Sequence, residues 1–379
     1  MSRRNKELAI QIFALFLVCC LIIFLIMNLH NNLARMGIGS GWSFLNSPAG
    51  FDLSFTLTSF TASSSYGAAF YTGFLNTVLV SIMGIVGSSI IGGLMGTARW
   101  SKIPVISDIG TIYVETFRNI PLLLQIFFWY FTVVRSLPAA RDSFSIADLV
   151  FLNNRGLYLP EIVLNGSSGY TAIFISLFAI AIIFSYRKSR SYRIKNGQPP
   201  NWNKWIWAAL FFWLVLVSFS LSYANWELPL RTRFGLSGGI EVNPELASLT
   251  LGLSVYFGSY VAETVRAGLN GLSKGQREAA FALGLSFGRT LQLVLLPQAL
   301  RNITPPLANI YLTLVKASAL GAAIAYPELL QIANTALNQT GQALEVSALL
   351  IISYLIINLI IVGIFSMIER HYKIGGHHV

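Results

Sequence analysis

The run from 346 to 368 is long and apolar enough to cross a lipid bilayer as a helix, and comparable runs recur along the chain. About 20 apolar residues cross roughly 30 Å of hydrocarbon, and within that layer each segment must satisfy its own backbone polar groups, as an α-helix does. Runs of this kind lie at 8–28, 70–95, 114–134, 170–186, 205–223, 246–265, 306–325 and 346–368, eight in all. Composition agrees: 54% of residues are hydrophobic and 11% charged, against a charged share of about 25% in soluble domains. The expected fold class is an all-α polytopic membrane protein with about eight transmembrane helices.

A formal net charge of +11 would suit nucleic acid, but the basic residues are scattered among loops that flank the apolar runs. They form no single stripe, so nucleic acid is not an expected partner. Their distribution sets orientation instead, because cytoplasmic loops carry the excess of Lys and Arg. An even number of spans puts both termini on one side. Placing that side in the cytoplasm gives it 18 of the 26 basic residues, leaves 6 opposite, and puts Arg118 and Lys316 within spans. The first run is longer than a signal-peptide core and no clear small-residue cleavage site follows, so it is expected to remain as an anchor. Cys19 and Cys20 are neighbours within it and make a poor structural bridge. Loops 30–69 and 137–169 are rich in Ser, Gly and Asn and are expected to be solvated connectors. The stretch RKSRSYRIKNGQPPNWNKW, from Arg187 to Trp205, suits a headgroup region through its basic and Trp side chains.

The stretch EAAFALGLSFGRTLQLVLLPQAL, from Glu278 to Leu300, lies between two spans and opens too polar to be one. Ser273 and Gln276 form an S-x-x-Q capping box, which predicts a helix from Lys274, and Gly284 can take the left-handed conformation that closes it. A second short helix is predicted over 287–296, with Ser286 as cap and Pro297 as its stop. Two uses fit. Small alanines would let another protein approach closely, with Arg277 and Glu278 pairing across the contact. Equally, Leu293, Leu295 and Leu296 would lay the segment on the membrane surface.

The spacing of EAA, three residues, Gly284, nine residues, Val294, one residue, then Leu296 and Pro297 is similar to the EAA loop of ABC importer permeases. Val294 stands where isoleucine is common. The resemblance continues through SYVAETVRAGLNGLSKGQ from Ser259, RNITPPLANIYLTLVKASAL to Leu320 and YPELL at Tyr326. VETFRNIPLLLQIFFWYF, from Val114 to Phe131, resembles an element of the polar amino-acid permeases, the histidine, glutamine and general L-amino-acid group. Several elements in the right order are far more specific than a lone motif.

The resemblance implies a type I importer core of five spans, here the second, third, sixth, seventh and eighth. An N-terminal span and an inserted two-span hairpin enlarge it, as in the general L-amino-acid permeases. The chain then divides into 1–65 (cytoplasmic tip, extra span, external loop), 66–136 (first part of the core), 137–245 (inserted loops and hairpin), 246–372 (second part, with a coupling loop at 273–300) and 373–379 (tail). It implies that Glu278, Ala279, Ala280, Leu283, Gly284 and Pro297 belong to a coupling helix that docks in a groove of a cytoplasmic ATPase. Implied partners are ABC ATPase subunits, which bind ATP and Mg, a second permease in a heterodimer, and a periplasmic or extracellular amino-acid-binding protein. The implied location is the bacterial cytoplasmic (inner) membrane. Two departures stand out. Arg118, Asn119, Ile120 and Pro121 replace the usual Arg-Gly-Thr-Pro, and Ala317 follows Lys316 where Asp or Asn is frequent.

The chain has no GxxxxGK[ST] phosphate loop and no nucleophile, base and orienter set, so it is expected to be a transport subunit with no ATPase site or cofactor of its own. His371, His377 and His378 lack the Cys or carboxylate cluster of a metal site. Lys316 would cost about 2.5–3.5 kcal/mol facing lipid, so it is expected to face the bundle or a wet cavity. There it could attract the α-carboxylate of an amino acid or make a structural pair. Arg118 and Asn119 are further candidates for the translocation path, although Arg118 and Glu115 are expected near the inner end of their span, reaching for the interface. Gly92 and Gly96, with Ser88, form a small-residue face suited to close packing inside the chain or with another permease. The alternative function is an ion-gradient-driven secondary amino-acid transporter. It is opposed by the absence of an inverted repeat and of a mid-membrane carboxylate. A membrane scaffold or receptor would leave the coupling loop unused.

Overall fold

The computed structural model describes residues 3–35, 41–163, 175, 177–179, 181–182, 184–186, 188–189, 192, 200, 202–222, 225–232 and 235–373. The fourth expected span, 170–186, lies partly outside them, at 170–174, 176, 180 and 183. The chain forms two compact units, one of Met1–Val134 with Glu245–Val379 and the other of Arg135–Pro244.

The larger unit holds α1 (Arg3–Arg35), α2 (Tyr66–Trp100), α3 (Pro104–Asn119) and α4 (Leu122–Phe127). The smaller unit holds α5 (Asn203–Ser222). After it come α6 (Pro244–Asn270), α7 (Lys274–Ala282), α8 (Phe287–Thr290), α9 (Leu296–Ala317), α10 (Leu329–Thr340) and α11 (Ala343–Lys373). Among the described residues, Tyr66–Trp100, Gly288–Ile324 and Ala343–Arg370 are long and apolar enough to cross a membrane, and the bent pair Pro104–Asn119 with Leu122–Ser136 adds a fourth if counted as one. Shorter apolar stretches occupy Gln11–Leu25 and Asn203–Val217.

The expected straight span at 114–134 does not form. The chain turns through 103° between α3 and the segment that follows. Pro121 explains the break, because its ring disfavours a helical residue before it, and Ile120 is extended at φ −90°, ψ 128°. The break frees carbonyls at the end of α3. Gln125 recovers two of them, its Nε2 donating to the carbonyls of Phe117 (2.7 Å) and Ile120 (3.0 Å). Upstream, Pro104 sits in the first turn of α3, where its missing N–H is not needed. The helix therefore starts ten residues before the expected 114, and Arg118 stands in the last turn of α3, just before the break.

α2 begins at Ser65, whose Oγ accepts from the Ala68 N–H, and its small-residue face packs on α6 within this chain. A Cβ added at Gly92 would lie 2.4 Å from the Val261 Cβ and 2.7 Å from the Gly258 carbonyl oxygen, and one at Gly96 would lie 2.6 Å from the Ala262 carbonyl oxygen. Backbone thus meets backbone, as small residues permit between membrane helices.

Loop 30–69 is more than a solvated connector where it is described. Phe44 and Ala49 are buried in a core with Tyr66, Phe70, Leu329, Ile332 and Ala336, and Phe51 and Phe60 pack against it. A buried polar knot lies in the same unit. Asn76 Nδ2 donates to the Pro327 carbonyl (2.8 Å), Tyr326 Oη to the Asn76 carbonyl (3.1 Å) and the Leu329 N–H to Thr77 Oγ1 (3.1 Å). Glu328, 0% exposed, caps α10 with both oxygens, accepting from the Leu330 and Gln331 N–H groups at 2.8 Å each.

The smaller unit departs from the all-α expectation. Its strands are β1 (Phe144–Ile146), β2 (Val150–Asn153), β3 (Gly156–Leu159), β4 (Glu161–Val163), β5 (Asn225–Glu227), β6 (Leu230–Thr232), β7 (Gly235–Ser237) and β8 (Ile240–Val242). They form a sheet of order β1-β2-β3-β8 and two two-stranded ribbons, all antiparallel in the described pairings. One hairpin pairs Asn153 with Gly156, so Asn154 and Arg155 form a two-residue turn, and Gly156 takes φ 139°. Loop 137–169 is therefore structured over its described part.

Candidate functional site

α7 sits between α6 and the long helix that follows. Ser273 precedes it, but its side chain makes no capping hydrogen bond. Gln276 does not reach back to it either: its Oε1 accepts from Gln298 Nε2 at 3.3 Å, which ties α7 to the start of α9. The expected side-chain capping box is replaced by a main-chain bond from the Gln276 N–H to the Ser273 carbonyl, 3.2 Å. At the other end Gly284 takes φ 75°. Its N–H donates to the Phe281 carbonyl (2.9 Å) and the Leu285 N–H donates to the Ala280 carbonyl (3.1 Å), the paired bonds of a Schellman closure.

Of the expected coupling residues, Ala280 is buried at 3% exposure, while Glu278, Ala279 and Gly284 are exposed and Leu283 is 82% exposed. Phe281 and Ala282 are exposed too. α7 therefore shows one narrow side to its own chain and a largely apolar side outward. Pro297 is exposed and does not stop a helix. α8 passes through a π-helical turn, Leu291–Leu295, into α9, and Pro297 occupies the first turn of α9.

Beneath the loop, Leu269 of α6 packs with Ala299 and Ile303 of α9, with Trp100, Val265, Leu272 and Leu307 around them. Gly268 is pressed so closely on α9 that an added Cβ would lie 2.2 Å from Ile303 Cγ1. α6 and α9 thus pack directly on each other beneath the loop.

Arg118 lies in the last turn of α3, beside α6. It is exposed, and its guanidinium carbon lies 5.1 Å from the centre of the Tyr260 ring, within cation–π range. Tyr260 and Tyr256 share a hydroxyl contact of 3.0 Å. Asn119, also exposed, donates from Nδ2 to the Glu115 carbonyl at 2.7 Å, so part of its amide is committed to the helix end. Lys316, in the last turn of α9, is exposed. Among the described residues, no hydrogen bond or ring contact joins it to Arg118 or Asn119.

The Tyr256–Tyr260 pair escaped the sequence reading although four-residue spacing puts both rings on one helix face. Glu263 and Arg266 escaped it as well. Glu263 Oε1 accepts from Arg266 at 2.5 Å, and Oε2 accepts from Arg99 of α2. Opposite charges three apart in AETVR were the available signal. A further carboxylate, that of Glu328, lies buried between apolar spans with the Tyr354 hydroxyl on its Oε2 at 3.1 Å.

Residues 88–374 match the model of the family described as "Binding-protein-dependent transport system inner membrane component". The chain is 44% identical over 371 residues to the putative amino-acid ABC transporter permease protein YhdX of Escherichia coli K12, covering 96% of this chain and 93% of that one. It is 41% identical to the general L-amino acid transport system permease protein AapQ of Rhizobium johnstonii, covering 87% and 84%. To the glutamate/glutamine/aspartate/asparagine transport system permease protein BztB of Rhodobacter capsulatus it is 34% identical, covering 98% and 94%.

Proposed function

Because the chain belongs to the family of binding-protein-dependent transport system inner membrane components, we propose that it is the permease subunit of an ATP-driven importer of L-amino acids, moved by a separate ATPase through residues 273–300. Amino acids are the cargo named for its relatives YhdX, AapQ and BztB. The observation that carries the coupling assignment is α7 itself, a nine-residue helix with Ala279, Phe281, Ala282 and Leu283 exposed. An apolar face at the water side of a membrane protein needs a cover, and in an ABC importer the ATPase supplies one. The ion-gradient alternative has no support once the family is known.

In this reading ATP and Mg sit in the partner. ATP-driven closure of two ATPase subunits displaces α7, α6 and α9 follow, and the spans open the central cavity alternately to either side. The binding protein delivers the amino acid. We place the protein in the cytoplasmic membrane with both termini cytoplasmic, with eight spans of which five form the core, and with a second, different permease as its partner. The basic bias of the loops and the likeness to AapQ support this arrangement.

Arg118, held over Tyr260, and Lys316, exposed on an apolar helix, are the cations proposed to meet the α-carboxylate along the path, with Asn119 beside them. A cation on the surface of a span is tolerated where that surface lines a wet cavity or a second subunit. The test is uptake of labelled amino acids into vesicles holding the purified complex. Uptake that requires lumenal ATP, the ATPase and the binding protein is expected. Uptake driven by an ion gradient without ATP would overturn the proposal.

A further inference from the structure

α2 and α6 lie backbone to backbone at Gly92 and Gly96, and just beyond Gly96 an ionic contact joins the same two helices. Arg99, in the last turn of α2 with a side chain only 12% exposed, meets Glu263 Oε2. Glu263 Oε1 holds Arg266 at 2.5 Å, and Arg266 Nε reaches Oε2 at 3.2 Å. One carboxylate thus carries two guanidinium groups, one from each helix. Arg99 is itself fixed by α3, since a Cβ at Gly110 would lie 2.6 Å from Arg99 Cγ.

The position matters more than the pair. α6 ends at Asn270 and α7 starts at Lys274. The Gly271 N–H still donates to the Ala267 carbonyl at 2.9 Å, so little slack separates Arg266 from the coupling helix. Without the ionic contact, the last turn of α6 could fray or tilt when α7 is pulled, and the motion would dissipate before reaching α2.

We propose that Glu263 is a positioning residue for transport, clamping the end of α6 to Arg99 of α2 so that the coupling helix moves both helices as one lever. A hydrogen-bonded pair of partly buried charges resists such shear better than apolar packing, because its energy depends on position and direction. The proposal rests on the coupling role of α7 and adds the element to which that motion is delivered.

The readout is the number of amino acids imported per ATP hydrolysed by the full complex in vesicles, with the amount of assembled complex measured in parallel. Wild-type vesicles establish the transport reading first; if they show no ATP-dependent uptake, that reading fails and not this one. Glu263→Gln should lower the ratio about tenfold with hydrolysis continuing, Glu263→Asp should recover part of it, and Arg99→Glu with Glu263→Arg should restore most of it. Arg99→Gln, which leaves the Glu263–Arg266 pair in place, covers the case in which Glu263→Gln fails to assemble. A wild-type ratio in Glu263→Gln or Arg99→Gln, or equal loss of uptake and hydrolysis, would overturn the proposal.

Discussion

Gly92→Ala adds one carbon where α2 and α6 have no room for it. Its Cβ would come within 2.4 Å of the Val261 Cβ and 2.7 Å of the Gly258 carbonyl oxygen, whereas ordinary contact begins at 3.4 Å, a shortfall of 3.4 − 2.4 = 1.0 Å. Val261 can shift a little, but a backbone oxygen inside a helix cannot, so the helices must part. Overpacking of this kind costs about 1–3 kcal/mol. Alanine also favours the helix over glycine by about 1 kcal/mol, which would mask part of the loss. Gly93→Ala removes that ambiguity: it lies one residue along the same helix, with nothing within 4 Å of an added Cβ. Measured by denaturation of the purified complex, Gly92→Ala should be less stable than Gly93→Ala by about 1–3 kcal/mol. Equal stabilities would refute the close-contact argument, and so would a less stable Gly93→Ala.

Gly284→Ala forces a side chain into φ 75° at a cost of about 1–2 kcal/mol. ATPase retained on the purified permease should fall severalfold, while Gly288→Ala, with nothing near an added Cβ, should retain it. Arg118→Gln should raise the KM for uptake about tenfold, a loss of about 1.4 kcal/mol, with a smaller rise for Tyr260→Leu, which removes only the ring beneath the guanidinium. Lys316→Met should impair transport without reducing assembly, and unchanged substrate affinity and rate would remove Lys316 from the path. Gln125→Leu leaves the Phe117 and Ile120 carbonyls without their donor, and denaturation of the complex should show a loss of about 1–3 kcal/mol.

Periodicity and length reveal long, uninterrupted elements, and α2, α6 and α11 were legible for that reason. The Gly92–Gly96 face was legible as a packing surface because small residues have few other uses in such a helix, but its partner was not, since a spacing names no neighbour. The bend at Pro121 was obscured by continuous hydrophobicity on both sides, although the proline was in plain view. Strands β1 to β8 are three or four residues long, too short for alternation to stand out from a loop. In the candidate site, glycine at the end of α7 was readable because a left-handed residue has few solutions. Ser273 misled, because a capping sequence offers hydrogen bonds that Gln298 and the main chain supplied instead. The Arg99–Glu263 contact joins residues 164 apart, a separation at which local spacing carries no information.

α7 is held together chiefly by its main chain: bonds from the N–H groups of Gln276, Gly284 and Leu285 close its two ends, and Ala280 turns inward. The side chains of Glu278, Ala279, Ala282 and Leu283 are therefore not needed to keep the loop folded. If α7 is the proposed ATPase contact, they are free to drift in step with the motor they face. A permease built this way can change its choice of motor by surface exchange, keeping the same hinge while the recognition face is rewritten.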